Sequence, residues 1–383
     1  MRVFTSVSVI NETFDNAGIS YLTSKLMTHS TTNRSGDILI KDMENIGSEL
    51  SNETNFDISG IDITCLSRYF DRALELLSDV VSHPLFDEKE LLFEKQNVIA
   101  ALNLRKDNIS TIVHDEFIKL FYNNTSYSLP ILGTKKTVLK IARKDLLKWH
   151  KYSYNASNIL ISVVGSINVK LLKQSLEKYF SCIQNGIKPE RAVFNIQHSK
   201  TIKKKIKCKF SQAYIYTGFP APSLDSKDFV PIKVARYVLG GRMMSRLFVE
   251  LREKLGLAYE LSAVYPERRG ESYFAVYMGL DKRNVDLALK SINKILKDFC
   301  AIKVSDQELK DVKAYMKGIY VMDRQTVSKK SAYYGWLELV GRGCEYEKEY
   351  LKNLDKITAN DLINVANKIF SRKSVSVIMS PDV

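Results

Sequence analysis

Residues 245–259 read SRLFVELREKLGLAY, and the rest of the chain is best read outward from them. Leu247, Phe248, Leu251 and Leu255 recur at helical spacing and give one apolar stripe. Glu250 and Lys254 stand four apart with the acid first, the favourable order for an ion pair on the outer face. Gly256 comes just past the last turn, where a glycine stops a helix. LAYELSAVY, the turn PERRGE and SYFAVYMGL then predict a β-hairpin. Arg252 falls in the last helical turn and Tyr259 near the start of the next strand. Held on neighbouring elements, a guanidinium fork and a phenol can converge on one point, which suits a carbonyl oxygen gaining negative charge. Spacing alone also allows a structural reading, with Arg252 paired to a nearby glutamate and Tyr259 packed on the sheet.

The chain has 383 residues, too many for one typical core, and this length fits two domains. With 45% apolar and 26% charged residues it has the composition of a globular protein. No run approaches a membrane span, and no apolar segment of signal-peptide type follows Met1. Compartment stays open: a missing N-terminal segment would be compatible with the periplasm, and otherwise the chain reads as cytoplasmic. The net charge is +14, from 57 basic and 43 acidic residues. Only KKKIKCK at 203–209 is densely basic; it alternates like an exposed strand, and no nucleic-acid motif accompanies it. Nucleic acid is therefore not expected as a partner. The five cysteines are odd in number, irregular in spacing and without CxxC, which argues against a disulfide framework or a cysteine zinc site.

The order of elements occurs twice. DRALELL at 71–77 has a counterpart in VDLALK at 285–290, FDEKEL at 86–91 in VSDQEL at 304–309, and NILISVVGS at 158–166 in KSVSVIMSP at 373–381. The offset is roughly 215 residues throughout, the mark of an internal duplication. QNGIKPERAVFNIQHSK at 184–200 has turn formers and little periodicity. The expected organisation is a domain at 1–183, a linker at 184–200 and a second domain of the same kind at 201–383. Strands meeting at hairpins, with segregated helices, make each an α+β domain.

NAGISYLTSKLM, ILGTKKTVLKI, NASNILISVVGSI, VLGGRMMSRLFVELREKLGLAY and VSDQELKDVKAYMKG, in that order, resemble the M16 metallopeptidase family of insulinase, pitrilysin and mitochondrial processing peptidase. The resemblance covers nearly the whole chain and is greatest to the branch in which two chains of this size form one peptidase. It implies two homologous domains of the mitochondrial-processing-peptidase-like fold, each a mostly antiparallel sheet with helices packed on it. By the same likeness, the family's opening strand would precede Met1.

The family's zinc site is H-x-x-E-H on a helix, with a glutamate about seventy residues on. Two imidazoles and a carboxylate hold the metal, and the motif's glutamate takes the proton of the bound water. The aligned stretch here is Tyr21-Leu22-Thr23-Ser24-Lys25. Tyr21 and Lys25 stand for the histidines and Ser24 for the base, and the third ligand falls near Ala101 or Leu102. None of these suits a dication, so the chain is expected to bind no catalytic zinc and to be inactive alone. No pair among His29, His83, His114, His150 and His198 has metal-ligand spacing.

The opposite half of an M16 enzyme supplies an arginine and a tyrosine spaced as Arg252 and Tyr259 are. The resemblance implies that Tyr259 bonds the scissile carbonyl and then the oxyanion while Arg252 orients Tyr259 and the substrate. LGGRMM at 239–244 resembles the family's glycine-bearing loop, whose Gly240 and Gly241 would let a peptide approach closely. The expected function is the non-zinc subunit of a heteromeric peptidase acting on unfolded peptides, with zinc in an M16-like partner that keeps the intact motif. The alternative is an inactive scaffold or peptide binder, associating with itself or with such a partner.

Overall fold

The structure, a computed structural model, describes residues 1–190, 194 and 196–382. The linker expected at 184–200 lies partly outside the described residues. The first half runs β1 (Arg2–Thr5), α1 (Ile19–Met27), α2 (Gly36–Glu44), β2 (Leu50–Thr54), β3 (Ser59–Ile63), α3 (Phe70–Ser82), α4 (Glu88–Arg105), α5 (Ile109–Tyr122), α6 (Lys135–Lys140), α7 (Arg143–Ser153), β4 (Ile159–Ser162) and α8 (Val169–Phe180). The second runs β5 (Ile202–Lys207), β6 (Gln212–Ala221), α9 (Phe229–Leu239), α10 (Arg246–Phe248), a π-helix (Val249–Lys254), β7 (Ala258–Val264), β8 (Ser272–Asp281), α11 (Val285–Ala301), α12 (Asp306–Met322), α13 (Val327–Leu339), α14 (Tyr346–Lys356), α15 (Ala359–Phe370) and β9 (Val375–Ser380). Helices on mostly antiparallel sheets, repeated along the chain, make the α+β architecture expected from the sequence.

Two compact units form. One holds Met1–Leu104, Leu129–Ala192 and Asp323–Glu345; the other holds Arg105–Ser128, Val193–Met322 and Tyr346–Val383. Each sheet is therefore covered in part by a helix from the other half of the sequence: α13 belongs to the first unit and α5 to the second.

The first unit's sheet has the order β2-β3-β1-β4, antiparallel throughout. Alternation sends Val3, Ile61 and Ile63 to one face, into a core with Leu22 and Leu26 of α1 and Leu77 and Val80 of α3. Helix α3 ends where Pro84 disfavours further helical backbone, and α4 starts on the Asp87 carboxylate, which accepts the amides of Lys89 (2.8 Å) and Glu90 (3.2 Å). The other face carries Phe4 opposite Leu160, under α13. Ser162 and Ser331 donate to one another's carbonyls at 2.8 and 3.0 Å. Next to them a Cβ on Gly335 would lie 2.2 Å from Phe4 Cε2. Gly335→Ala is expected to cost about 2 kcal/mol by overpacking. The urea midpoint, followed by the fluorescence of Trp149 and Trp336, both in this unit, reports it.

The second unit's sheet has the order β5-β9-β6-β8-β7, with only β5 and β9 parallel. The basic run expected as an exposed strand is its edge β5, where Lys203, Lys204 and Lys205 face solvent. Such lysines discourage pairing with other chains. Phe219 of β6 and Phe274 of β8 meet Phe370 of α15 on one face, at 5.2 and 5.3 Å between centroids. On the other face, Phe117 of α5 lies 4.5 Å from Tyr216 and fills the space above Gly218, where a Cβ would be 2.5 Å from Phe117 Cζ.

Candidate functional site

Helix α1 presents Tyr21, Ser24 and Lys25 at i, i+3 and i+4, the spacing that gathers metal ligands in the family motif. None contributes a histidine or a carboxylate. Ser24 is fully buried; its hydroxyl meets Thr54 Oγ1 at 2.6 Å and donates to the Tyr21 carbonyl at 3.1 Å. Tyr21 and Leu102 are half-buried and pack against the apolar core, so hydrocarbon lines the place where the motif implies a third ligand. Burial, and then the Glu94 carboxylate, raise the Tyr21 pKa. Glu94 is itself buried and paired with His29 Nε2 at 3.2 Å. Among the described residues no three His, Cys, Asp or Glu side chains are arranged to hold a metal ion. Of the remaining histidines, His83 lies 3.4 Å from Asp79, His114 lies 3.6 Å from Asp115, His150 bonds the Val81 carbonyl at 2.8 Å, and His198 lies against Phe121.

Helix α1 is held by a group that sequence reading missed. The Glu12 carboxylate accepts the amides of Gly18 and Ser20, both at 2.8 Å, at the helix start. Burial raises its pKa to about 7, against the opposing pull of those two amides. The folded state therefore holds the proton more tightly than the unfolded chain. The stability this contributes is complete below the ordinary carboxylate pKa and is lost as pH rises through about 7. Wild-type stability is expected to fall over that window by up to about 1.4 kcal/mol per pH unit, and Glu12→Gln to flatten the slope. Urea midpoints at several pH values measure both; parallel slopes in the two proteins would refute the assignment.

The Ser245–Tyr259 region lies wholly in the second unit. Arg246 fastens its start, donating to both Glu308 oxygens at 3.0 and 2.8 Å. Leu247 and Leu251 are fully buried, as the stripe predicts, and Lys254 pairs with Glu250 at 3.0 Å. The expected α-helix is corrected, however: after one α-turn the backbone widens to a π-helix. Leu255 N–H reaches the Glu250 carbonyl at 3.1 Å, and Leu257 N–H the Leu251 carbonyl at 2.8 Å. The extra residue per turn rotates Leu255 out of the stripe, leaving it 43% exposed. Gly256 closes the segment with φ +61°, as a terminating glycine should.

The ion pair that a structural reading gives Arg252 does not form among the described residues, and Tyr259 is not packed flat on the sheet. Arg252 is exposed and has no acidic partner among the described residues; its guanidinium lies over the Phe248 ring at 4.8 Å. Tyr259 is 58% exposed and is the extra residue of a β-bulge, where pairing steps from Ala258–Leu280 to Glu260–Gly279. A bulge re-aims a side chain off the regular face of a sheet. The two side chains stand on consecutive elements, with no hydrogen bond or cation–π contact between them.

Strand β7 is an edge, and its far end is covered. The Gly240 carbonyl accepts Ala263 N–H and Ser262 Oγ–H, both at 3.1 Å, and Arg236 Nε donates to the Ala263 carbonyl at 2.9 Å. A Cβ on Gly240 would lie 2.6 Å from the Ala263 nitrogen, and one on Gly241 2.9 Å from Tyr237 Cδ1. The close backbone approach that these glycines permit is used by the protein's own strand and helix. Two residues before Ala263, on the same outward side, the amide and carbonyl of Leu261 have no backbone partner among the described residues. The loop after Gly241 exposes Met243 (75%) and Met244 (71%).

Comparison with known proteins identifies the family. Residues 3–135 match the family model described as insulinase (peptidase family M16), and residues 140–316 match the peptidase M16 inactive domain. A Rickettsia felis protein named as an uncharacterized zinc protease is 26% identical over all of this chain and 92% of its own length. A Helicobacter pylori protein named non-peptidase homolog YmxG is 23% identical over 92% of this chain and 82% of its own. Among solved structures, a peptidase M16 inactive domain from Pseudomonas fluorescens superposes with TM-score 0.92 at 20% identity, covering 100% of this chain and 92% of that one. A protease from Helicobacter pylori gives 0.91 at 22% identity, covering 99% and 93%. The two family models, matching residues 3–135 and 140–316 one after the other, place this protein in the M16 peptidase family.

Proposed function

We propose that this chain is the non-zinc subunit of a two-chain M16 peptidase. A partner of similar size with an intact H-x-x-E-H motif brings the zinc and the general base, and this chain brings Arg252 and Tyr259. One observation carries the reading: both side chains are exposed on locally distorted backbone and, among the described residues, no acid or hydroxyl engages them. π-Turns and bulges recur at functional sites because they aim side chains that regular backbone cannot.

The substrate is an unfolded peptide that adds a strand to the open part of β7 at Leu261. Gly240 and Gly241 seat the neighbouring loop, and Met243 and Met244 adapt to an apolar substrate side chain. Tyr259 then donates to the oxyanion and Arg252 holds the peptide backbone. Reconstitution tests this: the zinc-bearing partner alone is expected to be slow, and the pair fast. If Arg252→Ala with Tyr259→Phe leaves hydrolysis by the pair unchanged, the shared site is wrong.

A second reading is an inactive scaffold or peptide binder, associating with itself or with another M16 chain. The relative named a non-peptidase homolog favours it. It requires peptide binding without turnover in every combination. No helix of the described residues is long and apolar enough to cross a membrane.

A further inference from the structure

The first unit contains a cleft of about 480 Å³ that the peptidase reading does not use. It lies where α13, anchored over β1 and β4, leaves the rest of its sheet face open. Arg2 lines it, with Phe4 and Ile58 buried beneath; Lys329, Tyr333 and Trp336, at i, i+4 and i+7 on α13, form a wall. Tyr333 and Trp336 are stacked, with centroids 6.2 Å apart at 23°. The Arg324 guanidinium lies 3.7 Å above the Tyr333 ring and closes that end. Arg2 is occupied by Glu53 at 2.6 Å and Asp62 at 3.0 Å. Lys329 and Asp323, which also line the cleft, have no ion-pair partner among the described residues.

We infer that this cleft binds the C-terminal residue of a peptide when that residue is aromatic. The ring lies against Trp336, the terminal carboxylate pairs with Lys329, and the residue's own amide donates to Asp323. Three features select this ligand. Half-exposed stacked rings offer a platform for another ring. A cleft of this volume holds one large side chain with its backbone. One unpaired cation and one unpaired carboxylate match the carboxylate and N–H of a chain terminus, a combination that an internal residue lacks. The inference does not depend on Arg252 and Tyr259.

Trp149→Phe leaves Trp336 as the only indole, so quenching or enhancement reads the cleft directly. The probes are acetyl-Gly-Gly-Phe with a free carboxylate, the same peptide as its C-terminal amide, and free phenylalanine. The expected result is saturable binding of the acid, with the amide about tenfold weaker and Lys329→Gln weakening only the acid by a similar factor. Calorimetry on the unmodified chain supplies the same comparison if Trp149→Phe disturbs folding. Equal affinity for acid and amide, insensitivity to Lys329→Gln, tighter binding of free phenylalanine, or no saturable binding to the unmodified chain each overturns the assignment.

Discussion

Replacing Arg34 by alanine is expected to destabilise the first unit by about 3–5 kcal/mol, the usual cost of breaking a buried ion pair from one side. Arg34 donates to Asp79 at 2.5 Å, to Glu75 at 2.5 Å and to Asp42 at 3.2 Å, using all three nitrogens of its guanidinium. Asp79 lies buried on α3 and cannot recover water when Arg34 is removed. Thr31 (2.8 Å) and Asn33 (2.6 Å) would still donate to it, but neither carries charge. Arg72 would still bridge Glu75 and Asp42, at 2.8 and 2.7 Å, so the loss centres on Asp79. Arg34→Lys should recover only part, because an ammonium is a point charge and cannot fork to three carboxylates. Both tryptophans sit in this unit, so their fluorescence during urea unfolding follows it selectively. A loss under about 1 kcal/mol for Arg34→Ala would mean that the cluster is solvated, as surface pairs are.

The Arg34 cluster also shows where sequence reading stops. The stripe of α3, its halt at Pro84 and the acidic start of α4 follow from residues a few positions apart, and so they could be read directly. The residues that meet Arg34 come from α2 and α3, and no local pattern announces them. Helix α5 was missed for a related reason. Asn108 caps it by accepting Thr111 N–H at 3.1 Å, and Val113, Phe117 and Phe121 recur every four residues, which was an available signal. Its apolar face is buried against β6 and β9, far along the sequence, so neighbouring residues do not reveal its place. In the candidate site, the identities of Tyr21, Ser24 and Lys25 at the spacing of the family motif were legible from the sequence alone. What fills the space, Ser24 on Thr54 and Tyr21 and Leu102 against the apolar core, needed the fold. The π-helix was not legible, because Leu255 fits a period of 3.6 residues as well as its buried neighbours do. The bonds from Leu255 back to Glu250 and from Leu257 back to Leu251 separate the two backbones.

In the reconstituted pair, Tyr259→Phe is expected to lower kcat by about 10²–10³ while KM changes little. The substitution keeps the ring and removes one O–H donor. A donor aimed at the oxyanion is worth more there than at the ground-state carbonyl, so its loss falls on the chemical step and not on binding. Arg252→Ala should differ, because a guanidinium that also holds the peptide backbone contributes before the transition state; KM is expected to rise together with the fall in kcat. The double variant should lose less than the product of the two, since both side chains serve one oxygen and one peptide. Stability offers a clean control. Tyr259 is 58% exposed and Arg252, also exposed, has no ion pair among the described residues, so each single variant should unfold within about 0.5 kcal/mol of wild type. A rate loss with intact folding then belongs to the site. If Tyr259→Phe changes kcat by less than threefold in a pair that is otherwise active, the phenol is not the oxyanion donor, and the exposed face of β7 serves binding alone.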